Sequence, residues 1–550
     1  MKKPNKKLNK KPNKKSKKRL STAPNKEIYE EISKIDKSNE KSLIVLSPEP
    51  GMGKTSTMIH YVADNFNEGR GCIVVIERHK KGEGERLKNR IDRLAGNKIA
   101  HVMYGFSKEI CQLDEDDRKL LRRSKKVRKG SLSIGKSKVN AEKVPNWALC
   151  EDCPMQECPA NPFIKYDLAK VYPVLIITHA RLKMMRFDNV GLGKIIEWDG
   201  GKREMMFIDE KPELIDNREI SLKVLRQIHM EAKEKKCRVK KIANSTNKRK
   251  SVRKRKVFEN DLLLGTSYLL KSFDEGKSQI APMKKKIKLS GHFGSIDKTI
   301  EKICNSGCVI TEQSNSFLFK MHKYKPFSQR LVKKIIILDG TAEHDPIYKL
   351  MKIPVVKFPS RNTVMRLHCL PGMKFKTSFS KSMKKKPEIF KDIIEQIQNE
   401  HPDDDLLIFT QKRFRKKIAE YATDRKLVGT YGNLKGKNSM RTKKALYMTH
   451  IFQKPPSHYI CIALASGYKP STDEYEKKKY DALTWGFKDP KLDEIRIASL
   501  VTDFIQDTYR TRIRSGLDVD IYLAVSDYKF LYELYSKYPN IEIAYKDFTT

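Results

Sequence analysis

The sequence predicts an α/β protein with two parallel-sheet domains, and three features support this prediction. Short apolar runs of four to seven residues recur along the chain, separated by stretches with helical periodicity. Such runs are typical of parallel strands that helices cover on both faces. The chain has 550 residues, enough for about two to four domains. An apolar fraction of 39% excludes wholesale disorder.

Each predicted strand is one of these apolar runs. A helical pattern over Glu27–Asp36 comes before the first strand, because Ile28, Ile32 and Ile35 recur at helical spacing. The predicted strands of the first domain are Leu43–Leu46, Cys72–Ile76, Val174–Ile177, Met205–Ile208 and Lys334–Leu338. The predicted strands of the second domain are Leu406–Phe409, Tyr459–Ala463 and Val519–Val525.

The domain boundaries follow from changes in composition along the chain. Residues 1–25 lack apolar periodicity and are predicted to form a disordered basic arm. The first domain is predicted over 26–345 and the second over 346–550. Two stretches interrupt the first domain and are interpreted as insertions. One is a cysteine cluster domain at 105–170, and the other is a helical, basic domain at 215–330.

The charge balance indicates a polyanionic partner. The chain has 114 Lys and Arg residues against 67 Asp and Glu residues, a formal net charge of +47. Residues 1–19 carry 11 positive charges and no acid, so +36 of the +47 remains in the body. A body this basic favours nucleic acid as the partner. A lysine-rich surface without such a partner is the alternative.

Composition also bounds the cellular location that we expect. No apolar run approaches the roughly 20 residues of a membrane-spanning helix, and no apolar segment follows the basic N-terminus as in a secretory signal. We therefore expect no membrane association and a cytoplasmic protein. In that reducing compartment the ten cysteines favour metal binding or chemistry over disulfides.

A glycine-rich loop follows the first predicted strand and precedes a helical pattern over Ser56–Asn65. This order is the context of a phosphate-binding Walker A loop, in which backbone N–H groups at a helix N-terminus cradle phosphates. Lys54 is predicted to reach the β- and γ-phosphates and Thr55 to ligate Mg²⁺. The predicted ATP-binding residues are Pro50, Gly51, Met52, Gly53, Lys54, Thr55 and Ser56.

Two acids directly follow the predicted strand Met205–Ile208. Asp209 is predicted to hold Mg²⁺, and Glu210 to orient and deprotonate the attacking water. Acid pairs are also common in ordinary turns, so this prediction depends on the phosphate loop upstream. Lys54, Asp209 and Glu210 are thus the predicted catalytic residues of the first domain.

Three further segments are predicted to sense phosphate or to contact nucleic acid. An Asp-Gly-Thr turn ends the strand Lys334–Leu338, where small hydroxyl-bearing residues suit a γ-phosphate sensor; an ordinary turn is the alternative. A later loop rich in Gly and Asn has two lysines, which suit a phosphate backbone. The residues predicted to act in coupling or nucleic-acid contact are Asp339, Thr341, Gly432, Asn433, Lys435 and Gln506.

Three arginines after Gln506 are candidates for contact with the γ-phosphate across a cleft: Arg510, Arg512 and Arg514. Arg510 and Arg514 are predicted to share one helical face, as i and i+4. An arginine in such a position stabilises the charge of the transition state. A basic surface helix without catalytic function is the alternative.

A dense group of cysteines lies in the first insertion. Cys150, Cys153 and Cys158 have metal-ligand spacing, and Cys111 upstream is the predicted fourth ligand. Four thiolates suit an iron–sulfur cluster or zinc, and their spacing does not separate the two. Cys304 and Cys308 are interpreted as structural.

In this order the motifs resemble those of superfamily 2 DEAD/DEAH-like helicases, and most closely the XPD/DinG iron–sulfur helicases. The cysteine insertion falls where that family carries its cluster, and the second insertion occupies the place of its arch domain. The loop at 432–436 and the Asp-Glu-Lys-Pro box are also similar to helicase-like proteins of phages and mobile elements. The segments that carry the resemblance are Pro50–Thr55, Cys150–Cys158, Leu175–Leu182, Asp209–Pro212, Asp339–Ala342 and Gln506–Arg514.

Some positions depart from the family pattern. Pro48 stands where a strict Walker A has Gly, and Lys211-Pro212 replaces Ala-His after the acid pair. Tyr509 stands in place of Gly and Ile513 in place of an Arg. Because of these last two changes, the arginine finger stays open among the three candidates.

The resemblance implies two RecA-like lobes that hydrolyse ATP with Mg²⁺ and translocate on single-stranded DNA in the 5′→3′ direction. It also implies a [4Fe–4S] cluster on the cysteines, with zinc as the alternative, and a host cytoplasm if a phage encodes the protein. Two other functions remain open. One is a DNA-stimulated ATPase motor without unwinding, and the other is a zinc-containing nucleic-acid-binding protein with a degenerate ATP site.

Overall fold

Two parallel β-sheets form the cores of two lobes in the protein, whose structure is a computed structural model. The predicted fold class, an α/β protein with two parallel-sheet domains, is confirmed. The structure describes residues 23–66, 69–77, 82–103, 169–187, 192–243, 249–277, 279–287, 289, 295–313, 316–324, 332–370, 379–402, 405–431, 442–468, 477–479, 485–525, 527–538 and 540–546.

The first lobe begins with eleven described elements that lead to the acid pair. In chain order they are α1 (Lys26–Lys37), β1 (Ser42–Ser47), α2 (Lys54–Asn65), β2 (Gly71–Ile76), α3 (Glu83–Ala95), β3 (Ala100–Val102), β4 (Val174–Thr178), α4 (His179–Phe187), α5 (Leu192–Ile196), β5 (Glu197–Trp198) and β6 (Gly201–Asp209). The predicted helix at 27–36 is confirmed as α1, whose N-cap is Asn25 and whose Ile28, Ile32 and Ile35 are buried.

The second insertion follows β6, and the first lobe then resumes. The insertion contains β7 (Ile215–Ser221), α6 (Leu222–Ala243), α7 (Arg249–Asp274), β8 (Gln279–Ile280), α8 (Ser295–Ser306), β9 (Cys308–Gln313) and β10 (Ser316–Tyr324). The resumed lobe contains β11 (Lys334–Leu338), α9 (Pro346–Leu350) and β12 (Val355–Lys357).

The first sheet has the strand order β12-β1-β11-β6-β2-β4-β3 among the described residues, and β5 pairs antiparallel with β6. All neighbours along this order are parallel. Successive residues such as Val45 and Leu46 enter hydrophobic clusters on opposite faces of the sheet. Both faces are therefore covered, which explains the continuous apolar runs. Strand β12 belongs to this sheet and lies beyond the predicted domain boundary at 345.

The second insertion is a mixed structure, whereas the sequence predicted a helical one. Its described strands form an antiparallel sheet in the order β7-β10-β9-β8, and its three helices are α6, α7 and α8. Strand β10 alternates: Phe319 and Met321 are buried against the helices, whereas Leu318 and Lys320 between and before them are only partly buried. This alternation is typical of half-buried antiparallel strands, and it lacks the continuous apolar run by which the other strands were recognised.

The second lobe contains a six-stranded parallel sheet among the described residues, with the order β15-β14-β16-β19-β13-β20. Its elements are β13 (Met365–Leu370), α10 (Phe379–Lys385), α11 (Glu388–Glu400), β14 (Leu406–Thr410), α12 (Arg415–Tyr421), β15 (Val428–Thr430), β16 (Ala445–Met448), α13 (Pro456–Ala465), β17 (Lys477–Lys479), β18 (Trp485–Phe487), α14 (Pro490–Thr508), β19 (Val519–Ala524), α15 (Tyr528–Lys537) and β20 (Ile541–Tyr545). Strands β17 and β18 form a separate antiparallel pair.

The predicted strand Tyr459–Ala463 is wrong, because this segment lies in helix α13. All five of its residues are buried, and four of them share a hydrophobic cluster with the first sheet. Helix α13 also packs against β10 of the insertion and against α14. A helix enclosed on all sides is apolar all round and shows no amphipathic period, so it is easily mistaken for a buried strand. Pro456 at its first turn was the available signal.

The described helices were also compared with the length and hydropathy that a membrane span requires. None of the helices in the described part of the chain is both long and apolar enough to cross a membrane.

Candidate nucleotide-binding and hydrolysis site

The phosphate loop connects β1 to α2 and ends at the helix N-terminus. Lys54 is the first residue of α2, and Gly53 before it has a left-handed φ of 84°. Gly51 has a φ of 103°, and a Cβ there would overlap the carbonyl oxygen of Arg514. Both glycines are therefore required for backbone conformation, and Gly51 also for close approach by the second lobe.

The strand order brings the other predicted residues to this loop. Strand β11 lies between β1 and β6, and the carboxyl ends of all three are in register. The Asp339 N–H donates to the Leu46 carbonyl, and the Glu210 N–H donates to the Leu338 carbonyl, both at 3.1 Å. The acid pair and the Asp-Gly-Thr turn thus meet the phosphate loop at one edge of the sheet, which is where open α/β sheets bind ligands.

Two short side-chain contacts join the phosphate loop to the acid pair. The Lys54 ammonium lies 3.0 Å from Glu210 Oε1, and Lys54 is buried. The Thr55 hydroxyl lies 3.1 and 3.0 Å from the two carboxylate oxygens of Asp209. A hydroxyl and a carboxylate that converge in this way are the oxygen ligands that Mg²⁺ prefers, so the residues present fit the ion.

The electrostatics of the site favour cation and phosphate binding. Burial alone would lower the pKa of Lys54, but the surrounding carboxylates, Glu210 first among them, outweigh burial and raise it. Desolvation raises the pKa of Asp209 to about 6, although the Lys54 charge opposes this shift. A bound cation would favour the ionised form of Asp209 in the same way.

Glu210 has an unusual backbone conformation. Its φ of 67° lies in the left-handed region, which costs a non-glycine residue about 1–3 kcal/mol. The preceding carbonyl, that of Asp209, lies 2.8 Å from Nε2 of His179 at the start of α4. The turn after the acid pair is therefore held from two sides, by β11 and by His179.

The Asp-Gly-Thr turn contacts the phosphate loop and the second lobe. Asp339 Oδ1 accepts hydrogen bonds from the N–H and the hydroxyl of Thr341, each at 3.0 Å. Gln506 of α14 donates its amide to the Thr341 hydroxyl at 3.2 Å. A Cβ at Gly340 would lie 2.8 Å from the Pro48 carbonyl, so glycine is required there as well. The structure therefore brings Asp339, Thr341 and Gln506 together.

The three candidate arginines differ in their surroundings. Helix α14 ends at Thr508, and a 3₁₀ turn covers Arg512–Ser515, so Arg510 and Arg514 do not share an α-helical face as predicted. The Thr511 hydroxyl bonds to the Thr508 carbonyl at 2.7 Å and helps to close the helix there. Arg512 donates to the Asp518 carbonyl within the second lobe. The buried Nε of Arg510 has no hydrogen-bond partner among the described residues.

Arg361 is a site residue that sequence reasoning missed. Its N–H donates to Glu49 Oε2 in the phosphate loop at 3.2 Å, and its guanidinium donates to the Arg514 carbonyl at 3.0 Å. Burial raises the pKa of Glu49, and Tyr509 packs beside it where the family has glycine. Arg361 follows β12 in a linker without any motif, so no sequence signal pointed to it.

Several predicted residues contribute around this centre. Met52 packs beside the hydrophobic cluster under α2, and the Ser56 hydroxyl accepts from the Arg90 guanidinium at 2.5 Å. Away from this centre, Cys304 and Cys308 are buried free thiols in the core of the second insertion. Burial raises the pKa of Cys304 to about 12, as suits a structural thiol. Pro50 lies against the position that a Cβ at Gly340 would take.

Other predicted residues lie outside the described ranges: Cys111, Cys150, Cys153, Cys158, Gly432, Asn433 and Lys435. Within the described ranges, no group of three or more His, Cys, Asp or Glu side chains is arranged to hold a metal ion. The cysteine cluster and the Gly/Asn-rich loop therefore stay predictions.

The sequence matches no protein-family model and no curated protein. Among solved structures, Xpd4 of S. tokodaii is 11% identical with a TM-score of 0.43, covering 94% of this chain and 99% of that one. Dbp5 of S. cerevisiae bound to RNA and ADP BeF3 is 9% identical with a TM-score of 0.37, covering 95% and 90%. The Escherichia coli DEAH/RHA helicase HrpB is 10% identical with a TM-score of 0.34, covering 92% and 43%.

These structures are of the kind that the motif resemblance predicts. Identities of 9–11% and TM-scores of 0.34–0.43 are too low to assign a function to this chain.

Proposed function

We propose that the protein is an ATP-dependent helicase or translocase of the superfamily 2 type that acts on single-stranded DNA. One observation carries the proposal: the phosphate-loop residues Lys54 and Thr55 meet the acid pair Asp209 and Glu210 at 3.0–3.1 Å. A motor that hydrolyses a nucleotide needs a phosphate cradle, a cation site and a water-activating base in one place.

The roles follow from the contacts. Lys54 binds the β- and γ-phosphates, and in doing so it exchanges its partner Glu210 for phosphate oxygens. Glu210, released from Lys54, is then available to accept a proton from the attacking water. Thr55 and Asp209 hold Mg²⁺, which when bound neutralises charge on the phosphate oxygens.

Arg510 is the arginine that we propose to complete the site. It lies between Gln506, which contacts Thr341, and Arg514, whose carbonyl approaches Gly51. Arg512 is less suited, because its guanidinium already bonds to the Asp518 carbonyl. A guanidinium brought to the γ-phosphate by closure of the second lobe would stabilise transition-state charge.

The nucleic-acid partner is proposed from charge. A net charge of +47 requires a large anionic partner or strong self-repulsion, and nucleic acid satisfies it most simply. Gly432, Asn433 and Lys435 are proposed to contact the phosphate backbone, and the basic arm 1–19 to add salt-dependent affinity. The preference for DNA over RNA and the 5′→3′ direction rest on the family resemblance.

The cysteines are proposed to bind a [4Fe–4S] cluster, with zinc as the alternative. Visible absorption and metal content of anaerobically purified protein decide between the two, with Cys153→Ser as the comparison. About four irons that are lost in the variant support the cluster. Stoichiometric zinc would leave the motor proposal in place and remove the basis for the direction of translocation.

The hydrolysis site is tested with a matched pair of variants. Glu210→Gln removes the proposed base, whereas Glu213→Gln removes a similar carboxylate three residues away that pairs with Lys183 at 2.6 Å on the surface. We expect Glu210→Gln to lower ATP turnover at least about 100-fold and Glu213→Gln to leave it unchanged. Equal turnover by both variants would remove Glu210 from the mechanism.

A strand-displacement assay separates the proposed helicase from a motor that does not unwind. ATP turnover that increases with single-stranded DNA, without displaced strand, would favour the second function. A protein that binds DNA but shows no ATP turnover would favour a nucleic-acid-binding protein with a degenerate site. The intact contacts of Lys54, Asp209 and Glu210 argue against that last possibility.

A further inference from the structure

A chain of buried and partly buried polar groups connects the residue after the acid pair to the second lobe. Three of its members belong to the first lobe and have no role in the nucleotide chemistry proposed above: Lys211, Asp345 and Tyr348. Asp345 is 5% exposed, and Tyr348 is completely buried. Polar groups at this depth are retained where each has a partner, so the pattern of partners indicates what they do.

This chain of polar groups begins at Lys211, the residue directly after Glu210. The Lys211 ammonium pairs with the carboxylate of Asp345 and lies 6.0 Å from the centre of the Tyr348 ring. The other carboxylate oxygen of Asp345 accepts from the Ile347 N–H at 3.0 Å and caps α9. Lys211 thus attaches the turn after the acid pair to the helix that carries Tyr348.

The chain continues from Tyr348 to the Asp-Gly-Thr turn. The Tyr348 hydroxyl donates to Asp339 Oδ2 at 2.9 Å, while Thr341 occupies Asp339 Oδ1. Asp339 is 1% exposed and receives donors on both oxygens. Its position is therefore fixed from two sides, by Tyr348 and by Thr341.

The chain ends in the second lobe. The Thr341 hydroxyl donates to Asp339 and accepts from the Gln506 amide at 3.2 Å. Movement of Asp339 therefore changes the position of the one hydroxyl that Gln506 contacts. Buried hydrogen bonds are costly to leave unmade, so these groups are expected to move together and not one at a time.

This chain of polar groups also interacts electrostatically with the nucleotide site. Lys54 interacts with the charges of both Glu210 and Asp339. When phosphates bind to Lys54, the positive charge of Lys54 compensates these two carboxylates less than before. The acid pair and Asp339 therefore respond to the same event, one through Lys211 and the other through Thr341.

We propose that Lys211, Asp345 and Tyr348 are positioning residues that couple the state of the nucleotide site to the Gln506 contact of the second lobe. The inference rests on the proposed function and extends it to Asp345 and Tyr348, which lie outside the motifs. It also gives a role to Lys211, one of the two departures from the family pattern after the acid pair. These residues act through Asp339 and touch no reacting atom.

Two conservative variants test the coupling. Tyr348→Phe removes only the hydroxyl that bonds to Asp339, and Asp345→Asn keeps the helix cap while it removes the charge that pairs with Lys211. Tyr61→Phe is the matched control, because Tyr61 is a buried first-lobe tyrosine whose hydroxyl bonds to Asp36 at 2.6 Å, outside the chain described above. Thermal unfolding of all three variants shows whether their stabilities are comparable.

The measurements are ATP turnover with and without single-stranded DNA, and the change in DNA affinity when a non-hydrolysable ATP analogue is added. We expect Tyr348→Phe and Asp345→Asn to keep the basal turnover and to lose at least about fivefold of the coupling between nucleotide and DNA. Tyr61→Phe should keep both. A structural role alone would change stability and leave the coupling factor intact.

Failure of this inference and failure of the proposed function give different results. If the wild-type protein shows DNA-stimulated turnover and Tyr348→Phe matches Tyr61→Phe in its coupling factor, the inference is overturned and the proposed function stands. If the wild-type protein shows no turnover or no response to DNA, the proposed function fails first.

Discussion

The two halves of the nucleotide site are built in different ways. The first lobe supplies side chains that already contact one another, Lys54 with Glu210 and Thr55 with Asp209. The second lobe approaches the same place with the backbone carbonyl and the side-chain stem of Arg514, and with the side-chain amide of Gln506. The first half is assembled within one sheet, whereas the second depends on how the lobes pack.

This difference indicates which step each lobe controls. Groups fixed at the end of one sheet can bind nucleotide and cation without help from elsewhere. Groups that reach the site across a cleft can act only when the cleft is closed. We therefore expect changes in the first half to abolish binding or chemistry, and changes in the second half to lower turnover while nucleotide binding persists.

The largest effect is expected from removing the first half. Lys54→Ala leaves Glu210 and Asp209 without their buried counter-charge and deletes the phosphate ligand. ATP turnover should fall at least about 1,000-fold, because the Lys54 ammonium both binds the phosphates and stabilises the additional charge of the transition state. DNA binding, measured by fluorescence anisotropy, should persist. Turnover in Lys54→Ala equal to that of the wild-type protein would sink the assignment of this loop.

Removing the second half should have the next largest effect. Arg510→Ala should lower the maximal turnover at least about 100-fold with little change in ATP affinity, because the guanidinium acts on transition-state charge. Arg512→Ala is the control, since that guanidinium bonds to the Asp518 carbonyl; turnover should stay within about threefold. Steady-state kinetics of both variants measure this. The reverse order of effects would make Arg512 the arginine finger.

Separating the halves sterically should have an intermediate effect. Gly51→Ala and Gly53→Ala both place a side chain at positive φ, but only the Cβ at 51 meets the second lobe, at the Arg514 carbonyl. Both variants should bind ATP more weakly because of backbone strain of about 1–3 kcal/mol. Gly51→Ala should lose about tenfold more turnover at saturating ATP. Equal turnover by the two variants would show that the Arg514 approach has no part in catalysis.

A change confined to the second lobe should affect stability and spare the site. His450 is 8% exposed, stacks on Phe379 at 4.2 Å and accepts from the Gln411 amide. Burial lowers the pKa of His450 to about 3, so the unfolded chain takes up a proton between about pH 6.5 and 3 that the folded chain excludes. Stability is therefore lost as the pH falls through this window.

His450→Gln should remove this acid sensitivity, which is on the order of 3 kcal/mol at pH 4.5. Urea unfolding of both proteins at pH 7 and pH 4.5 measures it, with ATP turnover at pH 7 as the control for the nucleotide site. The same loss of stability in both proteins at pH 4.5 would contradict the buried neutral state of His450.

The same contrast explains how much could be predicted from the sequence. The phosphate loop and the acid pair are each marked by strand, turn and helix signals within a few residues. Their positions at the ends of strands could therefore be predicted from the local sequence. Arg361 and Tyr348 carry no local signal, because their roles depend on the packing of distant segments. Helix α13 was mistaken for a strand for a related reason: enclosure between the lobes and the insertion removes the amphipathic pattern.

The arginine segment is a second example of what could not be predicted from the sequence. Gln506 lies in the last turn of α14, which ends at Thr508. The predicted helical face shared by Arg510 and Arg514 is not formed, because the backbone leaves the helix after Thr508, where the Thr511 hydroxyl bonds to the Thr508 carbonyl.

We propose that one cleft joins ATP hydrolysis to nucleic-acid binding. The most direct test is the rate of ATP hydrolysis by the full-length protein with and without single-stranded DNA, at one salt concentration. We expect DNA to raise the rate at least about fivefold and Arg510→Ala to lose this stimulation. A wild-type rate that is the same with and without DNA would contradict it.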